Sequence, residues 1–509
     1  MDTETWNKAD SLLKKKDYQT AYRLSETIIQ NSPNDTFGWW LKMQSASQLA
    51  QNKGKWPMEC VNAARHLVTL ERTKEASHIT SAIWCLSHEN NYKEIVSLSD
   101  KVIPAARAPI GDGNYALLVN LLSTSYLKLG DLKTARKILK QGVADLIEQP
   151  SVSQTGYNMA ELFQDESMTR SEREEWQELF TNIMSKSNEK NQLISSIAWN
   201  TLLLTDMYVQ ENKYNDAYQA ISLLYPDHDK KILAHWNFLR DQLYIRYLGL
   251  KKKTNRIKKE PKKLLNMVFL VIPRTRFAKE LPPSLSKYGS LNADLDEKDL
   301  KTLLTSFEYF RDSFEDLTDG IRWEMKLIRT ESEIQTTNFT DQKFRYVMQP
   351  EINSIVPNLS EDITKQIIAS DAVVVVWPGT KQPNGVLITN GGGTEWNYGT
   401  DRDPQIRLTI LSDSNKNKNG GNHANHPIFL YHEMFHVLEW AYHKLKFPKN
   451  DHPYMRRNEW PKDYEGSTEW DFYSETFNKR MMKDDRFERL YWKGRTEGFY
   501  GIQEKEKFK

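Results

Sequence analysis

His426-Pro-Ile-Phe-Leu-Tyr-His-Glu-Met-Phe-His-Val-Leu-Glu-Trp440 decides how the C-terminal half of this chain is read. Inside it, His432, Glu433 and His436 stand in the order H-E-x-x-H. Two histidines four apart on a helix lie one above the other, so both imidazoles reach a single ion, and the glutamate beside the first reaches a water on that ion. The flanks favour a helix. Pro427 suits a first helical position, Asn425 or His426 is free to cap it, and Phe429, Leu430, Val437, Leu438 and Trp440 supply apolar surface to bury it. Histidine is scarce, 11 in 509 residues. A chance match to this spacing is therefore expected in only about one or two such chains in a hundred.

Upstream of that helix, strands and helices alternate. Met267–Ile272 reads as a strand, Lys298–Leu317 as an amphipathic helix, Ile321–Ile328 as an alternating strand, Glu361–Ala369 as a short helix and Ala372–Trp377 as a buried strand. Gly385–Thr389 and Ile406–Leu411 suggest two more strands about the glycine run Gly391–Gly393. That run lacks the Gly-Lys-Ser/Thr ending of a phosphate loop and reads as a turn at a sheet edge. The polar stretch Ser412–Asn425 is expected as an exposed loop that delivers the chain to the H-E-x-x-H helix, with His423 facing solvent. Residues 264–509 are thus expected as one α+β domain. Ahead of it lies the basic run Leu250–Lys263, in which Pro261 stops a helix, and residues 251–263 read as a linker. Nothing aromatic is interleaved with that charge, as a nucleic-acid arm would require.

Residues 1–250 read as helix pairs punctuated by a recurring turn. Its copies are Lys16-Asp-Tyr-Gln-Thr-Ala21, Gly54-Lys-Trp-Pro-Met-Glu59, Asn90-Asn-Tyr-Lys-Glu-Ile95, Gly130-Asp-Leu-Lys-Thr-Ala135 and Asn212-Lys-Tyr-Asn-Asp-Ala217, with a degenerate copy near Trp176. A turn recurring at roughly 36–42 residues means a stacked array of about six helix pairs. Tyr115–Tyr126 before a turn and Ala135–Gly142 after one both carry apolar residues near helical spacing.

Composition sets the class. Hydrophobic residues make up 39% and charged residues 27%, as in a soluble protein of several domains, and a net charge of +2 implies no nucleic acid or anionic membrane as partner. The 15 Trp and 23 Tyr are expected in helix-pair packing. Cys60 and Cys85 fall inside helical patterns and are expected as buried thiols rather than a disulfide or metal framework. No signal peptide or membrane span is visible, so a cytoplasmic location is the default expectation. A secreted chain whose leader had been removed would read the same way.

Two family resemblances sharpen these expectations. Tyr126-Leu-Lys-Leu-Gly-Asp-Leu-Lys-Thr-Ala-Arg136 resembles the inter-helix segment of a tetratricopeptide repeat. That implies an all-α tetratricopeptide-like solenoid over residues 1–250, with a concave groove able to take a peptide or partner protein. His432-Glu-Met-Phe-His436, preceded by strand and loop and followed by a second helix, resembles the zincin metallopeptidases. Glu439 and Tyr442 stand where the metzincin branch needs Gly and His, and on a continuing helix His443 lies about 10 Å beyond His436. The segment Asp463-Tyr-Glu-Gly-Ser-Thr-Glu-Trp-Asp-Phe-Tyr473 resembles the Asn-Glu-Gly-Phe-Ala-Glu-Tyr segment of gluzincins, with Tyr464 in place of Asn.

The gluzincin resemblance implies Zn²⁺ as cofactor, held by His432, His436 and Glu465, with Glu433 as the catalytic base. Glu469 then takes the place of the acid that orients a ligand histidine, while Glu469 and Glu475 remain alternatives to Glu465 as third ligand. Tyr442 and Tyr473 are oxyanion donors by type alone. It also implies an extended substrate paired with an edge strand beside the metal helix, for which Ile406–Leu411 is the nearest strand in sequence. The expected function is a zinc metallopeptidase whose repeat domain recruits or positions a protein substrate. The alternatives are an interaction scaffold with an inactive peptidase-like domain, and a zinc hydrolase acting on a non-peptide amide.

Overall fold

The computed structural model describes residues 3–52, 54–71, 75–99, 107–156, 159–186, 193–224, 237–255, 261, 263–277, 293–318, 320–342, 345–350, 359–378, 392–396, 403–410, 427, 428, 430, 431 and 434. They fall into two compact units, Met1–Thr201 and Leu202–Lys509.

The first unit is helical throughout its described residues. Helices α1 (Thr3–Lys14), α2 (Tyr18–Asn31), α3 (Thr36–Leu49), α4 (Trp56–Leu70), α5 (Glu75–Ser87) and α6 (Tyr92–Ser99) follow one another, then α7 (Asp112–Lys128), α8 (Leu132–Asp145) and α9 (Arg170–Lys186). Each of α1 to α6 packs on its neighbour in sequence, as α7 does on α8. That is the one-dimensional stacking of a helical repeat. α10 (Ile194–Gln210) runs across the division between the units.

The recurring turn has one physical cause. The first residue of each of the five copies, Lys16, Gly54, Asn90, Gly130 and Asn212, has positive φ, between 56° and 86°. At four of them the helix closes with the same pair of hydrogen bonds. The amide of Asp17 donates to the Leu12 carbonyl and that of Lys16 to Leu13, and the pattern recurs at Asn90/Asn91, Gly130/Asp131 and Asn212/Lys213. This left-handed C-terminal cap satisfies carbonyls that the helix end would leave open. The next residue then starts the second helix of the pair. Asp17 accepts from the Thr20 amide at 3.2 Å and Asp131 from the Thr134 amide at 3.0 Å. One dipeptide therefore ends one helix and caps the next.

Two expectations for this region are corrected. Trp176 marks no turn, because it is buried in the middle of α9 against Phe163 and Phe180, with ring centroids 4.9 and 5.3 Å away. Cys60 and Cys85 are not free thiols but a disulfide joining α4 to α5. Their Cα atoms stand 6.3 Å apart, within bridging range. Closing a loop of this length contributes about 3 kcal/mol. Disulfides persist in oxidising compartments, which weighs against the cytoplasmic default.

The second unit is built on two sheets. The larger has the strand order β4-β1-β7-β9-β8, with β1 (Lys263–Val271), β4 (Ile321–Arg329), β7 (Ala372–Pro378) and β9 (Asp403–Ile410) parallel and β8 (Gly392–Trp396) antiparallel at one edge. The smaller, β3-β2-β5-β6, comprises β2 (Arg274–Phe277), β3 (Ala293–Asp294), β5 (Glu333–Gln342) and β6 (Arg345–Pro350). The parallel pair β1/β4 continues after a short break as the parallel pair β2/β5.

Helix α13 (Glu297–Leu317) connects the two sheets in sequence and covers the larger one. Its Leu300, Leu303, Phe307, Phe310 and Phe314, at helical spacing, are all buried. Phe307 meets Phe269 of β1 edge-on at 5.1 Å, and Phe310 and Phe314 flank Trp323 of β4 at 6.4 and 5.9 Å. α14 (Glu361–Ile368), capped by Ser360, leads into β7, whose seven residues are all buried.

Helices α11 (Tyr214–Ser222) and α12 (Asn237–Thr254) belong to this unit as well. α12 packs on α13 so closely that a Cβ at Gly249 would lie 2.9 Å from the Tyr309 carbonyl oxygen. Arg246 of α12 is fully buried, donates to both carboxylate oxygens of Asp206 at 2.8 and 3.0 Å, and lies 5.0 Å from the centre of the Tyr309 ring. The first lysines of the basic run are helix rather than linker. Lys252 pairs with Glu315 at 3.7 Å and Lys253 with Glu308 at 3.4 Å, both on α13.

Candidate functional site

Of the segment that carries the H-E-x-x-H pattern, five residues are described. Pro427, Ile428, Leu430, Tyr431 and Met434 are helical and buried. Proline holds the backbone angle a first turn needs, and residues 427, 430, 431 and 434 share the i, i+3, i+4, i+7 spacing of one helical face. Of the residues expected to bury this helix, Leu430 is described and is fully buried; Ile428, Tyr431 and Met434, which the sequence reading passes over, join it. The period of three and four from Pro427 is the signal that would have found them.

Tyr431 anchors the segment to α13. Its ring meets Phe310 edge-on at 4.8 Å and lies 6.2 Å from Phe314, and its hydroxyl is 2.8 Å from Ser313 Oγ. Burial pushes the Tyr431 hydroxyl far above the ordinary tyrosine range, outweighing the lowering by Ser313, so it stays protonated. Ser313 is itself buried, and its Oγ donates to the Tyr309 carbonyl at 2.6 Å. A serine hydroxyl has one proton. With that proton on Tyr309, the remaining bond runs from Tyr431 as donor to Ser313 as acceptor.

His432, Glu433, His436 and Glu465 lie outside the described residues, as do Glu469, Glu475, Tyr442, Tyr473, His423 and His443. The expected strand Gly385–Thr389 lies outside them too. Among the described residues no cluster of three or more His, Cys, Asp or Glu side chains could hold a metal ion. Also among them, no helix is long and apolar enough to cross a membrane.

The expected edge strand is corrected. β9, which contains Ile406–Ile410, is an interior strand: Val374–Pro378 of β7 pair with it on one side and Gly392–Trp396 of β8 on the other. The edge is β8. Gly392 and Gly393, expected as a turn, are strand residues paired with Arg407 and Ile406. Gly392 and Gly393 do lie on a strand at an edge among the described strands, as expected of the run.

No protein-family model matches the chain, and no curated protein matches it. Among solved structures, it is similar to the crystal structure of PilW, a widely conserved type IV pilus biogenesis factor, at 15% identity over 46% of this chain and 100% of that one, with a TM-score of 0.28. A likeness of that size carries no functional argument.

Proposed function

We propose that the chain is a zinc-dependent metallopeptidase of gluzincin type, with the helical repeat positioning a protein substrate. One observation supports this most directly: the described residues at and just before the H-E-x-x-H pattern, Pro427, Ile428, Leu430, Tyr431 and Met434, are helical and buried, as a motif carried on a packed helix would require. At about 100° per residue, these five occupy an arc of about 160°, the one-sided burial of an amphipathic helix.

In this reading His432, His436 and Glu465 bind Zn²⁺, whose chemistry when bound is to acidify a water and polarise the scissile carbonyl. Glu433, adjacent to a ligand, takes the water's proton and passes it to the leaving amine. An extended peptide pairs with the side of β8 away from β9, which no described strand occupies, rather than with β9, which is paired on both sides. The helical stacking of the first unit supports a partner-binding role for the repeat.

Metal analysis of the purified protein, paired with a peptide-turnover screen, tests the reading. Glu433→Ala should retain zinc and lose about 10²–10⁴-fold in turnover. Glu465→Ala should lose zinc as well, and Glu469→Ala and Glu475→Ala measured beside it identify the third ligand if it does not. A wild-type protein that binds no zinc leaves the repeat-based scaffold as the function. Zinc binding with hydrolysis of amides other than peptides points to the non-peptide hydrolase.

A further inference from the structure

β4 is an edge strand of the larger sheet: β1 pairs with it on one side, and no described strand lies on the other. Such an edge carries a row of backbone N–H and C=O groups that a further strand can take up, and proteins blunt it with prolines, bulges or very short strands. β4 has none of these. Its nine residues, Ile321–Arg329, contain no proline and run in unbroken register with β1. Glu324, Met325, Lys326 and Leu327 are four consecutive exposed residues, with Met325 at 36% and Leu327 at 37% exposure.

Side chains alternate along a strand, so Trp323, Met325 and Leu327 share one face, and Glu324 and Lys326 share the other. Trp323 is buried against Phe310 and Phe314, which makes its face the one that α13 covers. Met325 and Leu327 carry that apolar face into solvent. A lone lysine would protect the edge from pairing, but here Glu324 supplies the opposite charge two residues away. Two copies of β4 laid antiparallel about a two-fold axis through Met325 place Glu324 of each opposite Lys326 of the other, and Trp323 opposite Leu327. Centring the pair on Glu324 or on Lys326 would instead set a like charge against itself. Centred on Met325 the strand complements itself in both charge and polarity, as an isologous interface requires.

We propose that this edge is a dimer interface: β4 pairs with β4 of a second copy of the chain, antiparallel and centred on Met325, joining two five-stranded sheets into one. The pairing involves none of the residues assigned to zinc, so it stands or falls apart from the peptidase reading.

Sedimentation equilibrium of the full-length chain over a wide range of concentration tests it. Wild type should pass from the mass of one chain to twice that mass as concentration rises. Glu324→Lys sets lysines against lysines across the interface, and Lys326→Glu sets glutamates against glutamates. Each reversal turns both opposite-charge pairs into like-charge ones, so each should weaken dimerisation by at least about tenfold. The decisive sample is the mixture of the two. A Glu324→Lys chain opposite a Lys326→Glu chain has both pairs of opposite sign, so the mixture should dimerise as wild type does. The exchange variant Glu324→Lys/Lys326→Glu should do the same alone. Both positions are exposed, and circular dichroism at the lowest concentration should show every variant folded. If one reversal fails to fold, the other and the exchange variant still decide. A wild type that stays monomeric at every concentration overturns the proposal, and so does a dimer that the reversals leave intact or that the mixture fails to restore.

Discussion

At the scale of single residues, the five left-handed positions show how one backbone requirement is met by different chemistry. Gly130 has open space around its Cα, so its conformation rather than crowding makes glycine the fitting residue. Lys16, exposed and with φ of 58°, holds the same conformation with a side chain that disfavours it by about 1–2 kcal/mol. Lys16→Gly removes that strain but loosens the unfolded chain, so a net gain of about 0.5 kcal/mol is expected in urea unfolding, with Gly130→Ala losing about 1 kcal/mol. Burial gives the opposite case at Arg246. Its guanidinium has no exposure to speak of, and Asp206 supplies its counter-charge. Asp206→Ala leaves a buried unpaired cation and should cost about 3–5 kcal/mol, whereas the double variant Asp206→Leu/Arg246→Met should recover most of that loss. A double variant as unstable as the single one would show that the pair contributes more than mutual neutralisation.

Among secondary-structure elements, legibility in the sequence followed from whether the signal was local. Ala372–Pro378 is buried at every residue and reads as a strand without help, and the amphipathic period of Glu297–Leu317 gives α13 to within one residue. Four of the five left-handed turns are closed by bonds within six residues, so their signal is local. What depends on distant partners was not legible. β5, Glu333–Gln342, is polar and owes its strand to pairing with β2 and β6. The disulfide joins residues 25 apart on two helices, where helical spacing carries no information about which faces meet. Tyr431 finds Ser313 across 118 residues. β9 was legible as a strand, but its alternating Ile406, Leu408 and Ile410 say nothing of whether one side or two are paired. Register with β7 and β8 makes it interior, and that changes the test of substrate binding. A proline at Leu408, opposite Val376, would break the sheet's interior and unfold the unit. On the edge strand, Thr394→Pro is tolerable to the fold, and it should lower peptide turnover by about tenfold or more with zinc retained. Unchanged turnover would place the substrate on another edge.

For the molecule as a whole, the division at Thr201/Leu202 matters more than the basic run that resembles a linker. A chain ending at residue 255 contains every recurring turn, so by sequence it is a self-sufficient solenoid. In the folded protein its last helix, α12, is held by α13 through Gly249 against the Tyr309 backbone, Arg246 against the Tyr309 ring, and the pairs Lys252–Glu315 and Lys253–Glu308. Truncation at 255 removes all four of these contacts and bares a helix face that carries a buried charge. Residues 1–255 expressed alone should still give a helical circular dichroism spectrum, because the turns of the first unit close locally. Hydrogen exchange should nonetheless divide the fragment: α2 to α8 keep the protection they have in the full chain, while amides of 237–254 exchange at least about 100-fold faster, the loss expected when a helix whose stability comes from packing loses the α13 side of that packing. If α12 keeps full protection in the fragment, its stability comes from within residues 1–255, and α13 is a neighbour it does not need.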